Sequence, residues 1–189
     1  MTVVQLQTRR VVLRDWREAD LPPFAALNAD PRVMAHFPAV LSRGESDASA
    51  ARIRAFLTEH GWGLWAAETE GQFVGFVGLS RPRFEAHFTP CVELGWRLAF
   101  DAQGRGLATE AAQAALDFAL RHLRGEALVS FTVPGNRASR RVMEKLGLVR
   151  DGDFEHPGLP VGHPLRTHVL YRAQSTKKSG VGSTLGSTW

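Results

Sequence analysis

The run DAQGRGLATEAAQAAL, residues 101 to 116, constrains this chain more than any other stretch. Gly104, Gly106 and Ala108 stand at alternate positions where apolar residues begin to recur at helical spacing, at Ala108, Ala111, Ala112, Ala115 and Ala119. The preceding run, Cys91 to Phe100, reads as a strand. A helix that starts from bare backbone after a strand offers four N–H groups without intrahelical partners and about half a positive charge, so it is open to a phosphate. Small residues would equally serve close packing of the helix on a sheet, so the glycines alone leave both readings open. Two other phosphate loops fail on spacing. A dinucleotide fingerprint needs its third small residue three positions after the second glycine and an acid about twenty residues on. A P-loop needs Lys followed by Ser or Thr where this chain has Leu107 and Ala108.

The other periodicities set this unit in one mixed domain over residues 1–174, of α+β or α/β class. Thr8 to Arg14 reads as a short strand, and Asp20 to Asn28 as a helix with Pro22 and Pro23 in its first turn, where proline is tolerated. Ser46 to His60 repeats apolar positions at helical spacing. Trp62 to Glu68 and Gln72 to Leu79 flank Glu70-Gly71 as a hairpin. Leu128 to Val133 is a strand, Asn136 to Leu146 a helix ended by Gly147, and Leu148 to Phe154 and Thr167 to Arg172 are closing strands.

Composition removes several classes. The 189 residues are 44% hydrophobic and 22% charged, enough for one full core. The start, Met-Thr-Val-Val-Gln, lacks a signal-peptide pattern and no apolar run reaches spanning length, so no membrane and a cytoplasmic location are expected. One cysteine, Cys91, allows no internal disulfide, and the scattered histidines imply no metal. Residues 175–189, rich in Ser, Gly and Thr, read as a flexible appendage. Of the net charge of +4, Lys177 and Lys178 there supply two, leaving +2 spread among interleaved arginines and acids, which gives no nucleic-acid surface.

Gln103, Gly106 and Ala108 fit the pattern Gln/Arg-x-x-Gly-x-Gly/Ala, which resembles the acetyl-CoA pyrophosphate loop of the GNAT superfamily of N-acetyltransferases. VELGWRLAFDAQGRGLATEA and SFTVPGNRASRRVMEKLGL are similar to the strand-loop-helix and the Asn-x-x-Ser helix of its ribosomal-protein-alanine (RimJ/RimL-like) type, as are TRRVVLRDWREADL, DPRVM and HVLYR. The resemblance covers residues 8–173. It implies a twisted, mostly antiparallel sheet of six or seven strands with helices on both faces. The strands Cys91–Phe100 and Leu128–Val133 would be parallel neighbours that splay apart. It further implies acetyl-CoA as co-substrate, its pantetheine paired with backbone at Trp96, Arg97, Leu98, Ala99 and Phe100. Its pyrophosphate would rest on Gln103, Gly104, Arg105, Gly106, Leu107 and Ala108. Asn136, Ser139 and Arg140 complete the implied set, Arg140 being preferred to Arg141 for the phosphates.

The chemistry needs a neutral amine, a stabilised oxyanion and a proton for the departing thiolate. Alternation puts Val92, Leu94, Trp96 and Leu98 on one strand face and Glu93, Gly95 and Arg97 on the other, which makes Glu93 the candidate base; an ordinary Glu93–Arg97 ion pair is the competing reading. Met143 stands where the wider superfamily carries its tyrosine acid; the resemblance to the RimJ/RimL-like type implies instead a serine three residues after the asparagine, here Ser139, with Tyr171 as substitute. Asn136 and Ser139 would equally suit a helix cap, and Glu110 the first turn of its helix. Cys91, with no helix start after it, reads as inert. The implied acceptor is a peptide N-terminus or a small-molecule amine, and the enzyme a monomer or homodimer. With Glu93 the lone carboxylate base on the cleft face and no histidine in the matching motifs, low-pKa α-amines should outrank lysine side chains. A catalytically silent acyl-CoA-binding module, favoured by Met143, is the alternative.

Overall fold

The computed structural model describes residues 2–174; the Ser/Gly/Thr-rich run 175–189, read above as an appendage, lies outside the described residues. Eight strands form one sheet: β1 (Leu6–Gln7), β2 (Val12–Arg14), β3 (Leu64–Thr69), β4 (Gln72–Ser80), β5 (Val92–Leu98), β6 (Leu128–Thr132), β7 (Val149–Glu155) and β8 (Thr167–Arg172). Their order is β1-β2-β3-β4-β5-β6-β8-β7, and every neighbouring pair is antiparallel except β5 and β6. The helices are α1 (Leu21–Ala29), α2 (Arg43–His60), α3 (Leu107–His122) and α4 (Arg137–Lys145). The class is mixed α+β, with more strands than the six or seven expected. Thr8 to Arg14 is not one strand, because the Thr8 amide donates to Val11 O and folds the chain back to pair Leu6 with Leu13.

Local chemistry explains the boundaries. Helix α2 starts ahead of Ser46 because Ser42 and Glu45 make a reciprocal capping box, and it stops at Gly61 in the left-handed conformation. Glu70 (φ 53°) and Gly71 (φ 75°) both take positive φ, which makes the two-residue turn that joins β3 and β4.

Cross-strand pairing assigns the faces. Trp65 pairs with Val77 and meets Phe118 of α3 edge-on at 5.6 Å, whereas Ala66 pairs with Phe76, which meets Phe24 of α1 at 6.0 Å. Side chains alternate along a strand, so α3 covers one face of the sheet and α1 the other. Ala112, Ala115 and Ala119 of α3 are wholly buried, their small size letting the helix lie close on β4 and β5. A second core of Phe88, Cys91, Val129, Phe154 and Leu170 sits across β6, β7 and β8.

The entrance to α1 is tied to the sheet by a buried ion cluster. Arg14 donates from Nη1 and Nη2 to both carboxylate oxygens of Asp20 (2.7 and 2.9 Å) and from Nε to Glu68 (2.7 Å). Burial pushes the Asp20 carboxyl up, but the Arg14 fork and the Arg17 amide outweigh it and hold the group below its ordinary range. Asp20→Ala removes the carboxylate bound to both Arg14 Nη atoms and leaves that buried guanidinium only Glu68 as a counter-ion, so it should cost about 2–3 kcal/mol in urea unfolding. With a folded pKa below the unfolded one, Asp20 contributes above about pH 4, so the gap between wild type and variant should close as pH falls through the folded value.

Candidate active site

The parallel ladder between β5 and β6 has two registered pairs, Val92 with Leu128 and Glu93 with Val129, after which the strands part. The Val92 amide donates to Ala127 O, so the even-numbered residues of β5 turn their backbone toward β6. At Leu94 a side chain takes over from the ladder, Ser130 Oγ donating to Leu94 O at 2.8 Å. At Trp96 no strand stands opposite, and its backbone faces the gap. The parting opens a cleft of about 700 Å³.

The loop before α3 closes one end of that cleft. Gly104 (φ 72°) and Gly106 (φ 80°) are left-handed, and a Cβ on Gly104 would meet nothing within 4 Å, so backbone conformation and not close packing requires glycine there. Gly106 caps α3 with no side chain. The backbone N–H groups of residues 104 to 109 donate to no acceptor among the described residues. The loop is held from behind. Gln103 Nε2 donates to Leu98 O (3.0 Å), Arg10 Nη1 to Arg105 O (3.0 Å), and Thr8 Oγ1 and Arg10 Nε both to Glu110 (2.7 Å each). Glu110 is thus the anchor of the β1–β2 turn.

On the α3 face, Trp96, Leu98, Gln103, Gly104, Gly106, Leu107, Ala108, Asn136 and Ser139 all line the cleft. Asn136 caps α4, its Oδ1 accepting from the Ser139 amide at 3.1 Å and its Nδ2 donating to Thr132 Oγ1 at 3.0 Å. The cap uses the amide of Ser139, and its hydroxyl has no hydrogen-bond partner among the described residues. Ala99, Phe100, Arg105, Arg140 and Tyr171 do not line the cleft. Phe100 is exposed beneath Arg32, whose guanidinium lies 4.1 Å from the ring centre. Arg140 turns to Tyr171 and to Pro134 O, while Arg141 and Lys145 line the cleft in its place. Tyr171 is buried and its hydroxyl donates to Glu144 at 3.0 Å, which removes it as a substitute acid. Met143 is also buried, and of the two acids expected from the sequence only Ser139 lines the cleft.

The opposite face carries the titratable groups. Ser80 pairs with Glu93 and Phe76 with Arg97, which confirms that Glu93, Gly95 and Arg97 point away from α3. No Glu93–Arg97 ion pair forms. Four residues along a strand separate their Cα atoms by about 13 Å, and each side chain goes elsewhere. Ser80 Oγ donates to Glu93 Oε2 at 3.3 Å, and Arg97 Nη1 donates to Asn28 Oδ1 at 2.6 Å. Burial pushes the Glu93 carboxyl up to about 7 against the Ser80 hydrogen bond. Burial likewise pushes the Cys91 thiol up to about 11, the environment of an inert cysteine.

Two histidines on this face escape sequence reasoning. His156 and His168 sit on and beside the β7–β8 hairpin, whose register brings their rings to 5.0 Å. His156 Nδ1 accepts from the Gly158 amide, which places its proton on Nε2; His168 Nδ1 faces Arg166 O and must donate, which leaves Nε2 as a free lone pair. Burial lowers both pKa values, so both rings are neutral near pH 7. Both line the cleft, so Glu93 is not its lone base, and the ranking of α-amines over lysines loses its premise. No spacing rule joins residues twelve apart, one on a strand and one just past the end of another.

Residues 10–149 match the family model described as an acetyltransferase (GNAT) domain. YkkB, an uncharacterised protein of Bacillus subtilis (strain 168), is 30% identical over 147 residues, which covers 76% of this chain and 84% of that protein. The structure of an acetyltransferase from Agrobacterium tumefaciens str. C58 is 28% identical, with a TM-score of 0.73 over 93% of this chain and 96% of that one. Mycobacterium smegmatis RimJ, solved in complex with CoA-disulfide, shares the fold at 21% identity and a TM-score of 0.69, covering 92% of this chain and 87% of its own. No helix among the described residues is long and apolar enough to cross a membrane.

The loop geometry sets a test. Gly106→Ala and Gly106→Glu incur the same left-handed backbone strain, about 1–2 kcal/mol, but only the second adds a carboxylate beside the free N–H groups. Calorimetry should find CoA bound about tenfold or more weakly by the Glu variant than by the Ala variant. Equal affinities would remove the cradle.

Proposed function

The chain belongs to the GNAT acetyltransferase family, and on that premise we propose that it moves the acetyl group of acetyl-CoA to a primary amine by direct attack, with both substrates bound together. One observation carries this reading: the unpartnered N–H groups of residues 104–109, the open edge at Trp96 and the unengaged Ser139 hydroxyl lie along a single cleft whose other face holds Glu93.

The free N–H groups of the 104–109 loop suit a pyrophosphate, with Arg141 and Lys145 adding charge from α4. The backbone of Trp96 suits the amides of a pantetheine arm, which would add to β5 as a strand along Trp96, Arg97 and Leu98, with Asn136 at its inner end. Acetyl-CoA supplies the activated acyl group and a thiolate leaving group. Glu93, with its pKa near 7, takes the proton that the amine loses as the N–C bond forms. A backbone N–H of the splayed strand stabilises the oxyanion. As the C–S bond breaks, Ser139 Oγ gives its proton to sulfur and regains one from solvent. His168 Nε2 is a second proton acceptor in the same pocket. The acceptor is a peptide N-terminus or a small-molecule amine. A silent acyl-CoA-binding module would rest on Met143 alone, and the Ser139 hydroxyl and Glu93 argue against it.

Release of free thiol from acetyl-CoA with a panel of amines tests the activity directly, and binding without turnover would establish the silent module. Ser139→Ala should lower kcat by about 10²-fold while acetyl-CoA affinity changes little, because the thiolate needs its proton only as the bond breaks. Unchanged kcat would return Ser139 to the helix cap. Glu93 is a base only when ionised, so wild-type kcat should rise with pH through about 7 and Glu93→Gln should lose that limb. A variant that keeps it would pass the role to His168.

A further inference from the structure

Arg97 is a cation without a counter-ion. Its Nη1 donates to Asn28 Oδ1, and Asn28, itself wholly buried, is held by its own hydrogen bond to Ser46 Oγ at 2.9 Å. The guanidinium lies 4.2 Å from the ring centre of Phe37 and 5.5 Å from that of Phe76, so aromatic rings stand beside it where a counter-ion would be expected. Nε is sealed from solvent and has no hydrogen-bond partner. No carboxylate among the described residues comes within ion-pair distance, although guanidinium groups this enclosed are ordinarily paired with an anion. A tether to Asn28 alone needs a hydrogen-bond donor and does not need a charge.

Glu93 supplies the complementary deficit. Its carboxyl leans along the strand over Gly95, Oε1 lying 3.9 Å from where a Cβ of that glycine would be, and Ser80 is its hydrogen-bond partner. One wall of the cleft therefore carries a carboxyl group short of a cation and a guanidinium short of an anion, divided by a residue with no side chain. The phosphates of the co-substrate do not answer Arg97, because their cradle borders the α3 face and Arg97 points from the other.

We propose that the acceptor amine carries a carboxylate of its own, which docks on Arg97 while the amine nitrogen stands at Glu93. Glu93 and Arg97 do not reach each other and stand on either side of Gly95 on one strand face, so amine and carboxylate are separated by several bonds, as in an ω-amino acid or a short peptide with an acidic side chain. This assignment rests on the acetyl-transfer reading above and adds the class of acceptor.

The test compares ω-amino acids of increasing chain length with their terminal amides, and Gly-Asp with Gly-Asn as C-terminal amides, all as acceptors with acetyl-CoA. In at least one series the acid should exceed its amide in kcat/KM by about tenfold or more, chiefly through KM, as for a charge-assisted pair. Which series shows it separates the small acceptor from the peptide. In Arg97→Gln that ratio should fall to about one, and Arg97→Lys should restore part of it; a residue that only braced α1 would change rates for acid and amide alike. Should Arg97→Gln not fold, butanoate with the wild-type enzyme replaces it. It should compete with the amine and not with acetyl-CoA, and butanamide should not inhibit. Amides acetylated as well as their acids would overturn this assignment and leave acetyl transfer standing. Acetylation of none of these amines would overturn both.

Discussion

The rest of the site depends on a parallel pairing that stops after two residues. Strands β5 and β6 are registered at Val92–Leu128 and Glu93–Val129 and then diverge, with Ser130 Oγ bridging to Leu94 O at the point of parting. A continuous ladder would saturate the backbone of Trp96 and leave no cleft. A full break would let water into the core between α3 and the second aromatic cluster. The side-chain bridge holds the intermediate state, in which the sheet is intact at one end and open at the other.

Because side chains alternate along β5, the opened strand presents different chemistry to its two sides. Toward α3 and α4 the cleft is built from hydrogen-bond donors and cations: the free N–H groups of the 104–109 loop, the Asn136 amide, the Ser139 hydroxyl and, on α4, Arg141 and Lys145. Toward α1 and the β7–β8 hairpin it is built from groups that titrate or carry charge: Glu93, Arg97, His156 and His168. Burial raises the Glu93 pKa to about 7 and keeps His156 and His168 neutral, so this wall holds proton acceptors near pH 7, while Arg97, lowered only to about 10, stays charged. Hydrogen-bond donors and proton acceptors thus stand on opposite faces of one strand.

The loop ahead of α3 shows how distant parts of the chain set local geometry. Its two left-handed glycines shape the turn, but Arg10 and Thr8 fix it against Glu110, a hundred residues downstream in sequence. That contact exists because the chain folds back between Leu6 and Leu13, which adds a strand to the sheet and carries the turn to the N-terminus of α3.

Alternation, helical period and turn chemistry are local properties, so the elements, the face assignment of Glu93 and Arg97, the bare loop ahead of α3 and the Asn136 cap were all legible in residues 8–173. The two-residue strand β1 was not, because only its pairing with Leu13 and Val12 makes it a strand. Partners of individual side chains were also beyond reach. Whether Arg97 met Glu93 or Asn28, whether Tyr171 reached the cleft or Glu144, and whether His156 and His168 met at all depended on how α1, α4 and the β7–β8 hairpin packed on the sheet. Spacing along a chain determines which residues share a face. Which of them share a hydrogen bond or go without one is decided by groups far away in sequence, and the unpaired ones mark this site.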